Sequence, residues 1–271
     1  QPPLSYQMKL LEEELPLPLI ERSARGIALT EAGRVLYKRA QGILELSELT
    51  RKEMLAMASG FTGTLHIGTV SSSGASLLGW RIPAFHQKHP QIGFAIHEGN
   101  TFELMEMLES GLIELAIVRT PFHNDQLNCL YLSPEPMIAA GAASFFPAGM
   151  PSGQPISLEL LGHAPVILYR RFEKILLSLC EQKGITPQVF CIADDARTTL
   201  MWAEAGLGVA VVPQSAYRIM PHHNMVYGEL SEEDLHTRIA AVCKKGCSLS
   251  WAAQQFLEIF AQHPPSAQTG I

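Results

Sequence analysis

At 271 residues, with 47% apolar and 17% charged residues, the chain is long enough for two ordinary domains and too apolar to be disordered. Its net charge of −6 speaks against a surface that is basic throughout, so any contact with nucleic acid must come from a local patch. No stretch is apolar for long enough to span a membrane. Five cysteines (129, 180, 191, 243 and 247) are odd in number and lack a CxxC spacing, which points to reduced thiols in a cytoplasmic protein. Residues 1–60 carry eight Lys/Arg and eight Asp/Glu, so the excess of acid falls entirely on residues 61–271.

Leu4, Met8, Leu11 and Leu15 recur at helical spacing, predicting a helix over 3–15 that Pro16 and Pro18 end. Two short extended pieces follow around a tip at Ala24, Arg25 and Gly26. Thr30 then has the character of an N-cap, with Glu31 in the first turn where the helix dipole favours an acid. From there to Ser59 no proline interrupts the chain, and Leu36, Ala40, Ile43, Leu46, Leu49, Met54 and Met57 mark one apolar stripe. A helix this long with one apolar stripe is expected to pair with a second helix. Ser59–Gly63 reads as a linker.

Strands and helices then alternate. Strands are predicted at 64–70, 92–97, 114–119, 136–141, 165–169, 188–193 and 208–213. Helices are predicted at 74–87, 101–110, 171–183 and 196–205. NMVYGEL, TRIAAVC and a helix from about Ser248 complete the pattern. This alternation predicts an α/β protein with largely parallel strands, and the Pro134/Pro136 gap is the expected crossover between two lobes.

These segments carry a resemblance. QPPLSYQMKLLEEEL followed by LIERSARGIALTEAGRVLYKRAQGIL resembles the LysR-type transcriptional regulators. IGTVSSSGASLL, FAIHEGNTFELMEMLESGLIELAIVRTP and TTLMWAEAGLGVAVVPQSA follow in the family's order, so the resemblance extends over residues 1–262. The LTEAG segment with its preceding turn is the specific part, and the proline-rich LPLPL departs from the family pattern. The resemblance implies an α/β fold: a partial winged helix-turn-helix and long linker helix, then a two-lobed effector domain like a periplasmic binding protein. The expected boundaries are 1–29 for the helix-turn-helix part, 30–60 for the dimerisation helix, 61–135 plus 237–264 for lobe I, and 136–236 for lobe II. It also implies that two further helices of the DNA-binding domain would precede Gln1.

A recognition helix offers its N-terminal side chains to base edges in the major groove. Gln1, Pro2, Pro3, Ser5, Tyr6 and Lys9 occupy that part, and Arg22 and Arg25 flank the wing tip, where they would meet phosphate or the minor groove. Promoter DNA is the implied partner, with a homodimer through residues 30–58 that extends to a homotetramer and no membrane. In a two-lobed binder the ligand lies beyond the C-terminal ends of the strands. Effector contacts are therefore expected at Ser71, Ser72, Ser73, Asn100, Thr101, Arg119, Tyr169, Arg170 and Thr198. Hydroxyls, a helix N-terminus and arginines suit a small carboxylate. Ser71–Ser73 could equally cap a helix, Arg119 could pair with Glu114 or Asp125, and Asp194 and Asp195 read first as N-terminal acids of a helix. No GxSxG, HExxH, GxxxxGK or post-strand GxGxxG occurs, so no enzyme, cofactor or metal site is expected. The rival reading is a solute-binding protein of the same two-lobed type, a class that needs an export signal and no DNA-contacting helix.

Overall fold

The computed structural model of the protein describes residues 4–23, 26–59, 63–74, 79–218 and 221–262. It forms two compact units, Gln1–Gly63 with Ser110–Leu112, and Thr64–Glu109 with Ile113–Ile271.

The first unit begins with α1 (Leu4–Glu14), none of whose residues is fully buried. Met8 and Leu11 are half-buried, while Leu4 and Leu15 at the two ends of the expected apolar face are exposed. Strands β1 (Ile20–Ser23) and β2 (Gly26–Leu29) form an antiparallel arm in which Ile20 faces Leu29 and Ser23 faces Gly26. Glu12 anchors this arm, its Oε1 accepting from the amides of Leu19 (2.7 Å) and Ile20 (3.1 Å). Leu19 is the buried apolar residue at the root of the arm. Thr30 caps the next helix as its residue type predicts: its Oγ1 accepts from the Gly33 amide (2.9 Å) and donates to the Pro18 carbonyl (2.7 Å). Gly33 is needed there, because a Cβ would collide with the Leu19 carbonyl. Helix α2 (Glu31–Ser59) has 29 residues, about 44 Å at the usual rise. Of its apolar stripe, Leu36, Ala40 and Leu46 are half-buried, whereas Ile43 and Met54 are exposed.

The second unit contains two sheets. The five-stranded one runs in the order β4-β3-β5-β13-β6. Its strands are β3 (Gly63–Thr69), β4 (Ile92–Glu98), β5 (Leu115–Arg119), β6 (Leu127–Tyr131) and β13 (Ile239–Lys244). Helices α3 (Arg81–Lys88), α4 (Thr101–Ser110) and α8 (Trp251–Phe260) belong with it. Phe85, Phe256 and Phe260 pack with Leu65, Ile67 and Ile117 on one face, and Leu104, Leu108, Val118 and Val242 on the other. This is the first lobe.

The six-stranded sheet of the second lobe runs β10-β9-β11-β7-β12-β8. It is built from β7 (Met137–Ala142), β8 (Gln154–Ile156), β9 (Pro165–Tyr169), β10 (Gln188–Ala193), β11 (Val209–Pro213) and β12 (Met225–Leu230). Helices α5 (Glu173–Gln182), α6 (Ala196–Glu204) and the short α7 (Gln214–Tyr217) accompany it. β9 and β11 are buried at nearly every position, which is why they read as continuous apolar runs rather than alternating ones.

One expectation is corrected. The sheets are mixed rather than largely parallel: β13 runs antiparallel to β5 and β6, and β7 antiparallel to β11 and β12. These are the strands reached after the chain passes between sheets, so no helical crossover forces them parallel. Strand β6 (Leu127–Tyr131) carries no strict alternation of apolar and polar residues, following as it does proline and polar residues, and it is only half-buried. Within the predicted helix over 74–87, Gly74 is helical and α3 begins at Arg81, with the 3-10 turn Ser71–Ser73 ahead of them; residues 75–78 lie outside the described residues.

Candidate functional site

In the first unit the predicted DNA-contacting residues Ser5, Tyr6 and Lys9 are exposed on α1. Lys9 Nζ lies 3.7 Å from Glu13 in an exposed i,i+4 pair, a contact weak enough to yield to a phosphate. Arg22 sits in β1, opposite Ile27 of β2. Gln1, Pro2, Pro3 and Arg25 lie outside the described residues.

In the second unit a cleft of about 620 Å³ is lined from both lobes. The first lobe contributes Val70, Ser71, Glu98, Asn100, Thr101 and Phe102, all at or just beyond strand ends. The second contributes Tyr169 at the end of β9, Arg170 and Arg171 just beyond it, and Asp194 and Asp195 after β10. Strand ends converge here because parallel strands in each sheet deliver their C-termini to one edge.

Of the predicted effector residues, Ser71, Asn100, Thr101, Tyr169 and Arg170 line this cleft. Ser71 Oγ is 3.5 Å from the Tyr169 hydroxyl and accepts from the Ala196 amide at 3.5 Å, so one serine touches both elements of the opposite lobe. Asn100 caps α4 in a reciprocal box: Glu103 N donates to Asn100 Oδ1 (3.0 Å) and Asn100 N to Glu103 Oε2 (2.9 Å). Thr101 Oγ1 accepts from Arg171 Nη1 at 2.5 Å. Arg170 pairs through Nε with Asp194, and that carboxylate raises its pKa.

Ser72, Ser73 and Arg119 are fully buried. Arg119 donates to Ser72 Oγ (3.3 Å), Ser72 O (2.9 Å), Thr237 Oγ1 (2.9 Å), Ser215 Oγ (2.8 Å) and Glu135. Its acid is therefore Glu135, not Glu114 or Asp125. Glu135 also accepts from the Ser215 amide (2.7 Å) and hydroxyl (2.8 Å), and bridges Thr237 through the backbone. Residues 135 and 237 lie on the two segments that pass between sheets, so Arg119 knots both crossovers together. Thr198 is half-buried in the first turn of α6, its amide donating to Asp195 Oδ1 at 3.3 Å, and lies outside the cleft lining.

Sequence reasoning did not single out Glu98 or Phe102 among the lining residues. Arg197 Nη1 and Nη2 meet Glu98 at 3.2 and 2.9 Å across the cleft, while its Nη2 also holds Asp195 at 2.7 Å. Burial pushes the Asp195 carboxyl up, but Arg197 and the amides of Arg197 and Thr198 outweigh it and leave its pKa lowered. Asp195 is thus the N-cap expected of it. The pairing with Glu98 spans 99 residues of sequence, a separation at which no local signal exists. Among the described residues no group of three or more His, Cys, Asp or Glu could hold a metal, and no helix is long and apolar enough to cross a membrane.

A two-lobed α/β domain with a polar interlobe cleft, preceded by a helix, a β-arm and a long exposed helix, defines a ligand-binding module joined to a helix–arm module. The family model for the LysR substrate binding domain matches residues 58–265, and that for the bacterial regulatory helix-turn-helix protein, lysR family, matches residues 1–34. The chain belongs to the LysR family of DNA-binding transcriptional regulators. It is 30% identical over 269 residues to the HTH-type transcriptional regulator BudR of Raoultella terrigena, covering 96% of this chain and 90% of that protein. It is 25% identical over 268 residues to the DNA-binding transcriptional dual regulator OxyR of Escherichia coli, covering 95% and 85%. Among solved structures, CbnR, a LysR family regulator, matches with a TM-score of 0.77 at 23% identity over 96% of this chain and 88% of its own, a likeness of fold. The helix-turn-helix match over residues 1–34 favours a regulator over a solute-binding protein.

Proposed function

We propose that this regulator contacts promoter DNA through Gln1, Pro2, Pro3, Ser5, Tyr6 and Lys9 of its recognition helix and through Arg22 and Arg25 of its wing. Its two-lobed domain senses a small anionic effector, a carboxylate, at Ser71, Asn100, Thr101, Tyr169 and Arg170. The protein works in the cytoplasm and catalyses no reaction. The observation that carries the effector reading is the 620 Å³ cleft, lined by both lobes with hydroxyls, arginines and the first turn of α4. Such a site gains from a ligand that both lobes touch, and a ligand favouring the closed arrangement shifts the population toward it.

The exposed side chains of Val35, Ile43, Leu44 and Met54 on α2 support homodimerisation through residues 30–58, with a homotetramer as its extension. That the related CbnR has been solved in complex with its target DNA supports the DNA reading. The effector then acts by changing how the long helices of the dimer hold two recognition elements over one site.

Footprinting of a cognate promoter with the whole protein tests this, with and without any metabolite that measurably raises its melting temperature. A changed spacing or extent of protection is expected. Identical footprints for every metabolite that binds would refute the coupling.

A further inference from the structure

Three arginines and three acids meet at the cleft, and their pairing is unequal. Glu98 and Asp195 share Arg197, and Asp194 takes Arg170. Arg171 has no carboxylate partner among the described residues. Its Nη1 donates to Thr101 Oγ1 (2.5 Å), and its Nη2 to the carbonyls of Arg119 and Pro121 (3.1 Å for the latter). Its Nε is buried with no partner among the described residues. Every acceptor it holds is neutral, and all come from the opposite lobe. Burial pulls its pKa down and the neighbouring Arg119 charge acts in the same direction, while Tyr169 opposes them in part. A partly buried cation served by neutral oxygens alone is undercompensated, and it gains most from an anion brought into the same space.

The surroundings of Arg171 favour that anion. Thr101 and Phe102 open α4, and their amides have no carbonyl of their own helix to bond, while the Glu103 amide is taken by Asn100. Both residues line the cleft, as do Arg171 and the Ser71 hydroxyl. An anion beside Thr101 would thus be shared between a helix start of the first lobe and a guanidinium of the second. The remaining charges set a limit. With Glu98, Asp194 and Asp195 already exceeding Arg170 and Arg197 by one, a second negative group on the ligand would find no unpaired cation.

Resting on the carboxylate reading above, we infer that Arg171 is the residue that recognises the effector's charge, and that the cleft takes a small monocarboxylate and rejects dicarboxylates. Its hold on Thr101 and on the carbonyls of Arg119 and Pro121 makes it also the point where the ligand's charge is felt by both lobes. Arg170, half-exposed and engaged by Asp194, is left to shape the rim.

Calorimetric titration and thermal melts of the whole protein test this. The probes are acetate, propionate and benzoate, each beside its neutral amide, and malonate, succinate and phthalate as the diacids. At least one monocarboxylate is expected to bind and raise the melting temperature, with its amide and the matching diacid binding at least tenfold more weakly, a gap of about 1.4 kcal/mol. Arg171→Gln should weaken that monocarboxylate on the order of 30-fold or more. Arg171→Lys retains the charge without the fork geometry; it should bind more weakly than the parent yet still prefer acid to amide. If Arg171→Gln does not fold, the Lys variant carries the test, and its failure to prefer acid over amide overturns the inference. So does a diacid that binds as well as the monoacid, unchanged affinity in Arg171→Gln, or no binding of any monocarboxylate. A neutral or cationic compound that binds and shifts the promoter footprint would remove Arg171 from its role and leave the regulator reading standing. A monocarboxylate that binds as expected but leaves the footprint unchanged would do the reverse.

Discussion

Replacing Arg119 by alanine should be the most damaging single change in the ligand-binding unit. The side chain is fully buried, and five acceptors surround it: Ser72 Oγ and O, Thr237 Oγ1, Ser215 Oγ and Glu135. Truncation leaves the Glu135 carboxylate, itself largely buried, with only the Ser215 amide and hydroxyl. Breaking a buried ion pair by removing one partner costs about 3–5 kcal/mol, because a charge remains without its counter-charge. For a unit of about 200 residues each kcal/mol moves the midpoint by about 2–4 °C, so Arg119→Ala should lower its melting temperature by about 6–20 °C. The double change Arg119→Met with Glu135→Leu removes both charges and should recover much of that loss. Differential scanning calorimetry of parent, single and double variants measures both quantities. A single-variant drop below about 2 °C, or a double variant no better than the single, would refute the claim that this pair ties the crossovers.

Four further outcomes can be checked. Thr30→Ala removes an N-cap and the bond to the Pro18 carbonyl, and should destabilise the helix–arm unit by about 1 kcal/mol, read as faster proteolysis at the start of α2. Gly33→Ala should be worse, at about 1–3 kcal/mol, since its Cβ meets backbone that cannot swing aside. Asp195 has a lowered folded pKa, so the stability it contributes is complete above its unfolded value and is lost as pH falls through the folded one. The penalty of Asp195→Asn in urea melts should therefore be full at pH 7 and shrink below about pH 4; a penalty constant with pH would contradict the assignment. Lys9→Ala should weaken promoter binding about equally on all sequences and reduce the salt slope by about one, whereas a loss confined to one base position would mark Lys9 as a base reader.

Much of this protein was legible from local chemistry. Pro16 and Pro18 end α1, Thr30 begins α2, and the apolar runs at 165–169 and 208–213 could only be buried strands. Each of these depends on neighbours within a few residues, where steric and hydrogen-bond rules act directly. The order of motifs along the chain likewise points to the family without any tertiary contact. Sequence could also bring Ser71, Asn100, Thr101, Tyr169 and Arg170 to the cleft, because residues just past parallel strand ends share one edge.

What it could not do was apportion the charges. Arg119, Arg170, Arg171 and Arg197 are the same residue type near strand or helix ends, and only the fold separates them. Arg119 found Glu135 on a crossover, Arg170 took Asp194, and Arg197 reached Glu98 across 99 residues. Arg171 was left with neutral oxygens. An arginine's role is set by which acceptors surround its guanidinium, and those are delivered by distant segments once the two sheets have packed. Periodicity and capping therefore settled the elements, while the long-range pairing of a few charges decided which arginine among the described residues keeps only neutral acceptors.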